Sequence, residues 1–98
     1  MRDDVIFLIS EDPDVRGVFE KPNTRERMVF CTVRSAGMRE VYEALAHNLR
    51  PEVVFVLADT AEYNGEKTCR WGGLIYNIIR TAEKGQRIEL TVERSMTA

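Results

Sequence analysis

The residues able to do chemistry in this chain are few and scattered. The single histidine, His47, has no second histidine or cysteine near it in sequence, and the two cysteines, Cys31 and Cys69, lie far apart in separate strand-like segments. Metal centres need several such ligands close together, so no metal site is predicted. The serines and carboxylates form no set of nucleophile, base and orienting acid. The sequence therefore predicts a protein that is not an enzyme and uses no cofactor.

Two aromatic residues suggest a different activity. Trp71 and Tyr76 flank the pair Gly72-Gly73, and Arg70 and Arg80 lie close to them in sequence. Exposed aromatic rings beside basic residues stack on bases in small oligonucleotide-binding barrels. A net charge of −2 lacks the basic excess of such proteins, and packing of both rings in a core is the favoured interpretation. Binding of single-stranded nucleic acid is kept as the alternative function.

Length and composition predict one folded domain, residues 1–98. Hydrophobic residues make up 44% of the chain and charged residues 31%, which is typical of neither a disordered segment nor a membrane protein. The first residues, MRDDVIFLISEDPDV, lack the basic and apolar regions of a secretory signal, so synthesis and residence in the cytoplasm are expected. Arginine outnumbers lysine by eleven to three, which favours protein interfaces.

The elements that must position these residues are mostly strands. Apolar and β-branched segments predict six of them, at residues 5–10, 27–34, 52–59, 67–71, 74–81 and 87–94. Asn64-Gly65, Gly72-Gly73 and Gly85 mark turns, since glycine readily adopts positive φ. Residues 11–26 carry two prolines and many charges and are predicted to form a long loop. Six short strands in so small a chain favour a closed β-barrel.

One helix is predicted at residues 36–49, between the second and third strands. Ser35 is a suitable N-cap, and Pro51 marks the end because the residue before a proline is pushed out of helical geometry. Apolar residues recur at helical spacing and form one stripe: Met38, Val41, Tyr42, Leu45 and Leu49. The predicted fold is mainly β, a small six-stranded barrel with one inserted α-helix and the long loop 11–26.

The segment PEVVFVLADTAEYNGEKTCRWGGLIYNIIRTAEKGQRIEL carries an ordered series of short motifs. The series begins with the aromatic-bearing helix around Tyr42 and continues through Pro51-Glu52, Tyr63-Asn64-Gly65-Glu66, Tyr76-x-Ile78-Ile79-Arg80-Thr81 and Ile88-Glu89-Leu90. In order and spacing, residues 28–93 resemble the head-closure proteins of tailed bacteriophages, also called stoppers or head–tail joining proteins. Residues 1–26 match that pattern poorly, Ala82 departs from it, and Trp71-Gly72-Gly73 is particular to this chain.

The resemblance implies a structural virion protein at the head–tail interface. Its copies would form a ring below the portal and adaptor proteins, following the portal's twelve-fold symmetry, and a monomer before assembly is compatible with this. The ring would close the channel through which double-stranded DNA passes and would dock the tail, with no membrane involved. A tail-completion or tail-terminator protein is the related alternative.

The resemblance and the loop together select two sets of residues. Residues proposed to contact neighbours or the channel come from the loop 11–26: Arg16, Phe19, Lys21 and Arg25. Residues that follow the family pattern, and so are expected to build the scaffold, are Tyr42, Pro51, Tyr63, Gly65, Glu66, Tyr76, Arg80 and Thr81.

Overall fold

The computed structural model describes residues 2–12, 23–37 and 51–95. Six strands and one short 3-10 helix account for most of them. The strands are β1 (Arg2–Asp12), β2 (Asn23–Ser35), β3 (Val53–Leu57), β4 (Thr68–Trp71), β5 (Leu74–Lys84) and β6 (Arg87–Arg94), and the 3-10 helix is Thr60–Glu62. No helix in this part of the chain is long and apolar enough to cross a membrane.

The six strands form one closed barrel in the order β1-β2-β3-β6-β5-β4, with every neighbouring pair antiparallel. Closure is completed by three pairs between β1 and β4, from Phe7↔Arg70 to Ile9↔Thr68. A closed sheet leaves few strand edges without hydrogen-bond partners, which suits a chain of this size. The prediction of a mainly β, six-stranded barrel is confirmed.

Two turns follow the glycine pattern closely. Trp71 pairs with Leu74 across Gly72-Gly73, and both glycines have positive φ, 58° and 80°. A two-residue hairpin of this kind needs positive φ at both central positions, which explains the glycine pair. Lys84 likewise pairs with Arg87 across Gly85, as predicted.

The first two strands extend beyond the predicted limits, and the predicted loop 11–26 is wrong at both ends. β1 continues through Asp12 and β2 already begins at Asn23, so Arg25 lies in a strand. The two strands pair without interruption from Arg2↔Val33 to Asp12↔Asn23. Backbone hydrogen bonds to a partner strand sustain β-structure through polar residues, whereas the prediction used apolar content. Residues 13–22 lie outside the described residues.

The predicted helix is not borne out by the described residues. Ser35, the expected N-cap, is the last residue of β2, and Ala36 and Gly37 belong to no helix or strand. The remaining positions of that prediction fall in residues 38–50, outside the described part.

β3, predicted at 52–59, is shorter than predicted and ends at Leu57. The residues after it include the 3-10 helix Thr60–Glu62. Asp59 caps the start of this helix by accepting a hydrogen bond from the Ala61 amide.

Side chains point alternately inward and outward along each strand, and the apolar side chains that point inward fill the barrel. The largest fully buried ones inside it are Phe55, Ile6, Leu8, Leu57, Leu90, Val92 and Cys69. Near one end, the ring of Phe55 packs edge-on against Trp71 and Tyr76, with centroids 5.3 and 6.5 Å away. Edge-to-face aromatic pairs of this kind add to the stabilisation from burial, so this end of the barrel is firmly packed.

Candidate functional site

The outer surface of β1 and β2 carries neighbouring apolar side chains, exposed on β2 and half-buried on β1. Val5 lies opposite Phe30, and Phe7 lies opposite Met28. Phe30 is 71% exposed and Met28 53%, while the residues between and beside them on β2, Val29 and Cys31, are buried. We call Val5, Phe7, Met28 and Phe30 the β1–β2 outer patch. Adjacent exposed apolar side chains commonly mark surfaces that meet another molecule.

Charged groups border this patch and are mostly paired with one another. The Arg70 guanidinium lies over the Phe7 ring, 5.0 Å from its centroid, and its Nη2 is 2.5 Å from Glu26 Oε1. On the other side, Thr32 Oγ1 donates to Asp3 Oδ1 at 3.3 Å. The patch is thus an apolar centre with a polar rim, an arrangement typical of protein interfaces.

A groove of about 660 Å³ opens beside the patch, where β2 separates from β3. β2 pairs with β3 only from Thr32 to Ser35, whereas its pairing with β1 continues to Asn23. Val5, Phe30 and Val56 supply apolar lining, and Asp3, Arg34, Arg87 and Glu89 supply charge. Arg34 Nη2 is 3.0 Å from Glu89 Oε1, which fixes one wall. The groove and the patch share Val5 and Phe30, so they form one continuous candidate surface.

A second built feature lies in the loop between β3 and β4. The Glu66 carboxylate is buried and accepts hydrogen bonds from Arg27 Nη2 at 2.8 Å and from the Asn64 amide at 2.7 Å. Arg27 Nη2 also donates to the Glu62 carbonyl oxygen, and the Tyr63 hydroxyl donates to the Glu66 carbonyl oxygen. These bonds hold the β3–β4 loop against β2, although Arg27 and the loop are far apart in sequence. The arrangement is structural, since all its polar groups satisfy each other.

This loop changes the interpretation of Asn64-Gly65. The pair was predicted as a tight turn, and Gly65 has the positive φ expected, 84°. However, β3 and β4 are not neighbours in the barrel, because β3 lies between β2 and β6. The segment therefore connects separate strands and holds Glu66 against Arg27.

The aromatic residues of the nucleic-acid alternative face inward. Tyr76 is 4% exposed, and Trp71 packs against the core with its centroid 5.8 Å from that of Tyr76. Trp71 Nε1 donates to Asp4 Oδ2 at 3.0 Å. This bond, followed in importance by one from the Val5 amide, holds the pKa of Asp4 below its ordinary value. Stacking on bases needs an open ring face, which the buried Tyr76 lacks, while the half-buried Trp71 has the Arg2 guanidinium 5.6 Å from its ring centroid. Binding of single-stranded nucleic acid stays a prediction.

The predicted contact residues divide between described and undescribed parts. Arg16, Phe19 and Lys21 lie outside the described residues, while Arg25 lies in β2 and is exposed. Their proposed role in contacting neighbours or the channel stays a prediction.

The predicted scaffold residues occupy several places. The structure brings Tyr63, Gly65 and Glu66 together in the β3–β4 loop and places Tyr76 in the core. Arg80 and Thr81 are exposed on β5, and Pro51 precedes β3. Tyr42 lies outside the described residues.

Sequence reasoning missed the residues that form the candidate surface. In the segment RMVFCTVR, both alternating sets contain apolar residues, which was interpreted only as evidence for a strand. In a small barrel just one of the two sets can face the interior, so the other set, with Met28 and Phe30, had to face outward. That signal was available and would have identified the patch.

The cysteines are buried and free. Burial raises the pKa of Cys31 to about 11 and that of Cys69 to about 12, so both are thiols rather than reactive thiolates at neutral pH. Within residues 2–12, 23–37 and 51–95, no group of three or more histidine, cysteine, aspartate or glutamate side chains could hold a metal ion. His47 lies outside these ranges.

No protein-family model matches this chain, and no curated protein sequence matches it either.

Proposed function

We propose that this protein is a non-enzymatic subunit of the connector that joins head and tail in a tailed bacteriophage or prophage. Its copies form a ring beneath the portal and adaptor proteins, close the DNA channel after packaging and dock the tail. It resides at the head–tail interface of the virion, and in the host cytoplasm before assembly. The motif order over residues 28–93 supports the proposal from the sequence side.

The observation that carries the proposal is the exposure of Phe30 and Met28 on the wall of a closed barrel. A barrel that works alone gains nothing from large apolar side chains in water, because leaving them exposed forfeits roughly 1.5–3 kcal/mol for each side chain. A subunit that meets neighbours recovers that free energy on assembly. The polar rim around the patch gives the specificity that a ring interface requires.

Two finer features belong to the same proposal. The apolar stripe from Met38 to Leu49 supports a helix inserted between β2 and β3, shorter than predicted because Ala36 and Gly37 are not helical. Arg16, Phe19 and Lys21 in the connection between β1 and β2, together with Arg25 on β2, contact neighbouring subunits or the DNA channel. Charge reversals at these four positions that left assembly and DNA retention unchanged would remove the second feature.

The test is a deletion of the gene in the phage or prophage that encodes it, complemented from a plasmid. Without complementation we expect heads of normal appearance that lack tails and have lost their DNA, seen by electron microscopy and DNA quantification. Infectious virions with intact tails would refute the connector function.

A matched pair of variants connects the patch to that function. Phe30→Lys places a charge at the centre of the β1–β2 outer patch, and we expect it to complement at least a hundredfold less well than the wild-type gene. Leu74→Lys is the control, because Leu74 is 39% exposed but lies at the β4–β5 turn. Equal complementation by both variants, at equal protein levels, would show that the patch is not the assembly surface.

A further inference from the structure

β2 has an open backbone edge where it separates from β3. β2 pairs with β3 only from Thr32 onwards, and β3 ends at Leu57. The chain then turns towards the β5–β6 turn, where the Thr60 amide donates to the Gln86 carbonyl oxygen at 2.7 Å. In the part of the chain that the structure describes, no strand pairs with Met28–Cys31 on the side away from β1. Because successive strand residues direct their backbone groups to opposite sides, every second residue of this stretch points its N–H and C=O to the open side.

The usual protections of a strand edge are missing from these four residues. Proteins block exposed edges with charged side chains, prolines or bulges. Met28–Cys31 contains no charged residue and no proline, and its pairing with β1 keeps one register throughout. The charged residues of β2 nearest to it are engaged elsewhere, Arg27 with Glu66 and Arg34 with Glu89. The edge is therefore able to accept another strand.

The groove beside this edge has room for one extended peptide. Its volume is about 660 Å³. Sites that hold small ligands have volumes of roughly 300–1,000 Å³. Apolar side chains lie on both walls, Val5 and Phe30 on one and Val56 and Ala58 on the other. A strand added along β2 would place alternate side chains beside Phe30 and Met28, at the distance of cross-strand pairs.

The charges of the groove favour an acidic partner. Asp3 and Asp4 accept hydrogen bonds from side chains of β2 and β4, and Glu89 lies 3.0 and 3.4 Å from two cationic groups. Arg87 on the opposite wall is exposed, and within the described part of the chain it takes part in no ion pair. A guanidinium binds a carboxylate through paired, charge-assisted hydrogen bonds. One carboxylate on the bound peptide would therefore complement Arg87.

We infer that the Met28–Cys31 edge and its groove are a docking site for an extended segment of another protein, which adds as a strand beside β2. That segment has apolar side chains at alternate positions and a carboxylate that reaches Arg87. This docking mode does not depend on the connector function, because it uses only the open edge, the groove and its charges.

The test is an NMR titration of the isotope-labelled full-length protein with the peptide acetyl-Val-Val-Glu-Thr-Val-Thr-amide. We expect a Kd below about 1 mM, with the largest shifts at the amides of Met28–Cys31. Methylation of one alternate set of the peptide's backbone nitrogens should abolish binding, and methylation of the other set should not, because only one set faces β2. A peptide with lysine in place of glutamate should bind roughly tenfold more weakly.

A pair of protein variants tests the charge. Arg87→Glu should weaken binding of the glutamate peptide roughly tenfold and strengthen binding of the lysine peptide. Arg94→Glu is the matched control, because Arg94 is also exposed on β6 but lies at its other end, away from the groove. It should leave the affinity for both peptides unchanged.

Four results would overturn the inference. They are the absence of binding at 1 mM peptide, shifts that lie away from Met28–Cys31, equal effects of the two methylated sets, and equal effects of Arg87→Glu and Arg94→Glu. Concentration-dependent broadening of the Met28–Cys31 amides without peptide would also overturn it, since a second copy of the chain would then occupy the edge. The titration uses the isolated protein, so its outcome is separate from that of the gene deletion.

Discussion

Replacing Arg27 by alanine tests how the β3–β4 loop is held to the barrel. Glu66 has a side chain only 5% exposed, and Arg27 Nη2 lies 2.8 Å from its carboxylate. Removing one partner of a buried ion pair costs about 3–5 kcal/mol, because the other charge is left without compensation. The Arg27 side chain is 41% exposed, so water screens the pair, and the Asn64 amide still donates to Glu66; we therefore expect a smaller cost, about 2–3 kcal/mol.

The free energy of unfolding is measured by urea denaturation, followed by the fluorescence of Trp71, the one tryptophan of the chain. Arg70→Ala is the matched control. Its ion pair with Glu26 joins side chains that are 42% and 38% exposed, and its contact with the Phe7 ring is also at the surface. Loss of both contacts should cost about 1 kcal/mol. An Arg27→Ala cost no larger than that of Arg70→Ala would refute the view that the Arg27–Glu66 pair fastens this loop.

Three further predictions concern single groups. Cys31 and Cys69, whose pKa values are raised to about 11 and about 12, should resist a thiol reagent at pH 8 in the folded protein and react fully in urea; rapid reaction of the folded protein would contradict their burial. The pKa of Asp4 is lowered, chiefly by the hydrogen bond from Trp71, so its contribution to stability is present above about pH 4 and is lost as pH falls through the folded-state pKa. Asp4→Asn should therefore reduce the acid sensitivity of the free energy of unfolding, and an unchanged profile between pH 2 and 6 would count against this bond. Gly73 has φ of 80°, so Gly73→Ala should cost about 1 kcal/mol in urea denaturation, and no loss would mean that the turn tolerates a Cβ.

The sequence predicted strand limits best where a local turn signal and clean alternation coincide. β6 was predicted at its observed limits, 87–94, because Gly85 marks its start and its apolar residues alternate cleanly. The limits of β1 and β2 were wrong because their outer parts contain charged residues, and the pairing of one strand with the other keeps those parts extended. Such pairing joins positions distant in sequence, so local composition does not encode it.

The candidate surface was only partly predictable for the same reason. The sequence identified Glu66 within a motif, but its partner Arg27 lies on a strand that comes much earlier in the chain. It identified Phe30 as a strand residue, but which of two apolar sets enters the barrel depends on how neighbouring strands curve and close.

For the described residues, the sequence alone determined the number of strands and the hairpin turns at Gly72-Gly73 and Gly85, since each of these depends on residue types within a few positions of one another. The tertiary structure decided the strand order, the inward turn of Trp71 and Tyr76, the pairing of Arg27 with Glu66 and the exposure of Met28 and Phe30. The physical reason is closure. A barrel has a single interior, and only when all six strands are in place is it fixed which side chains fill that interior and which remain outside.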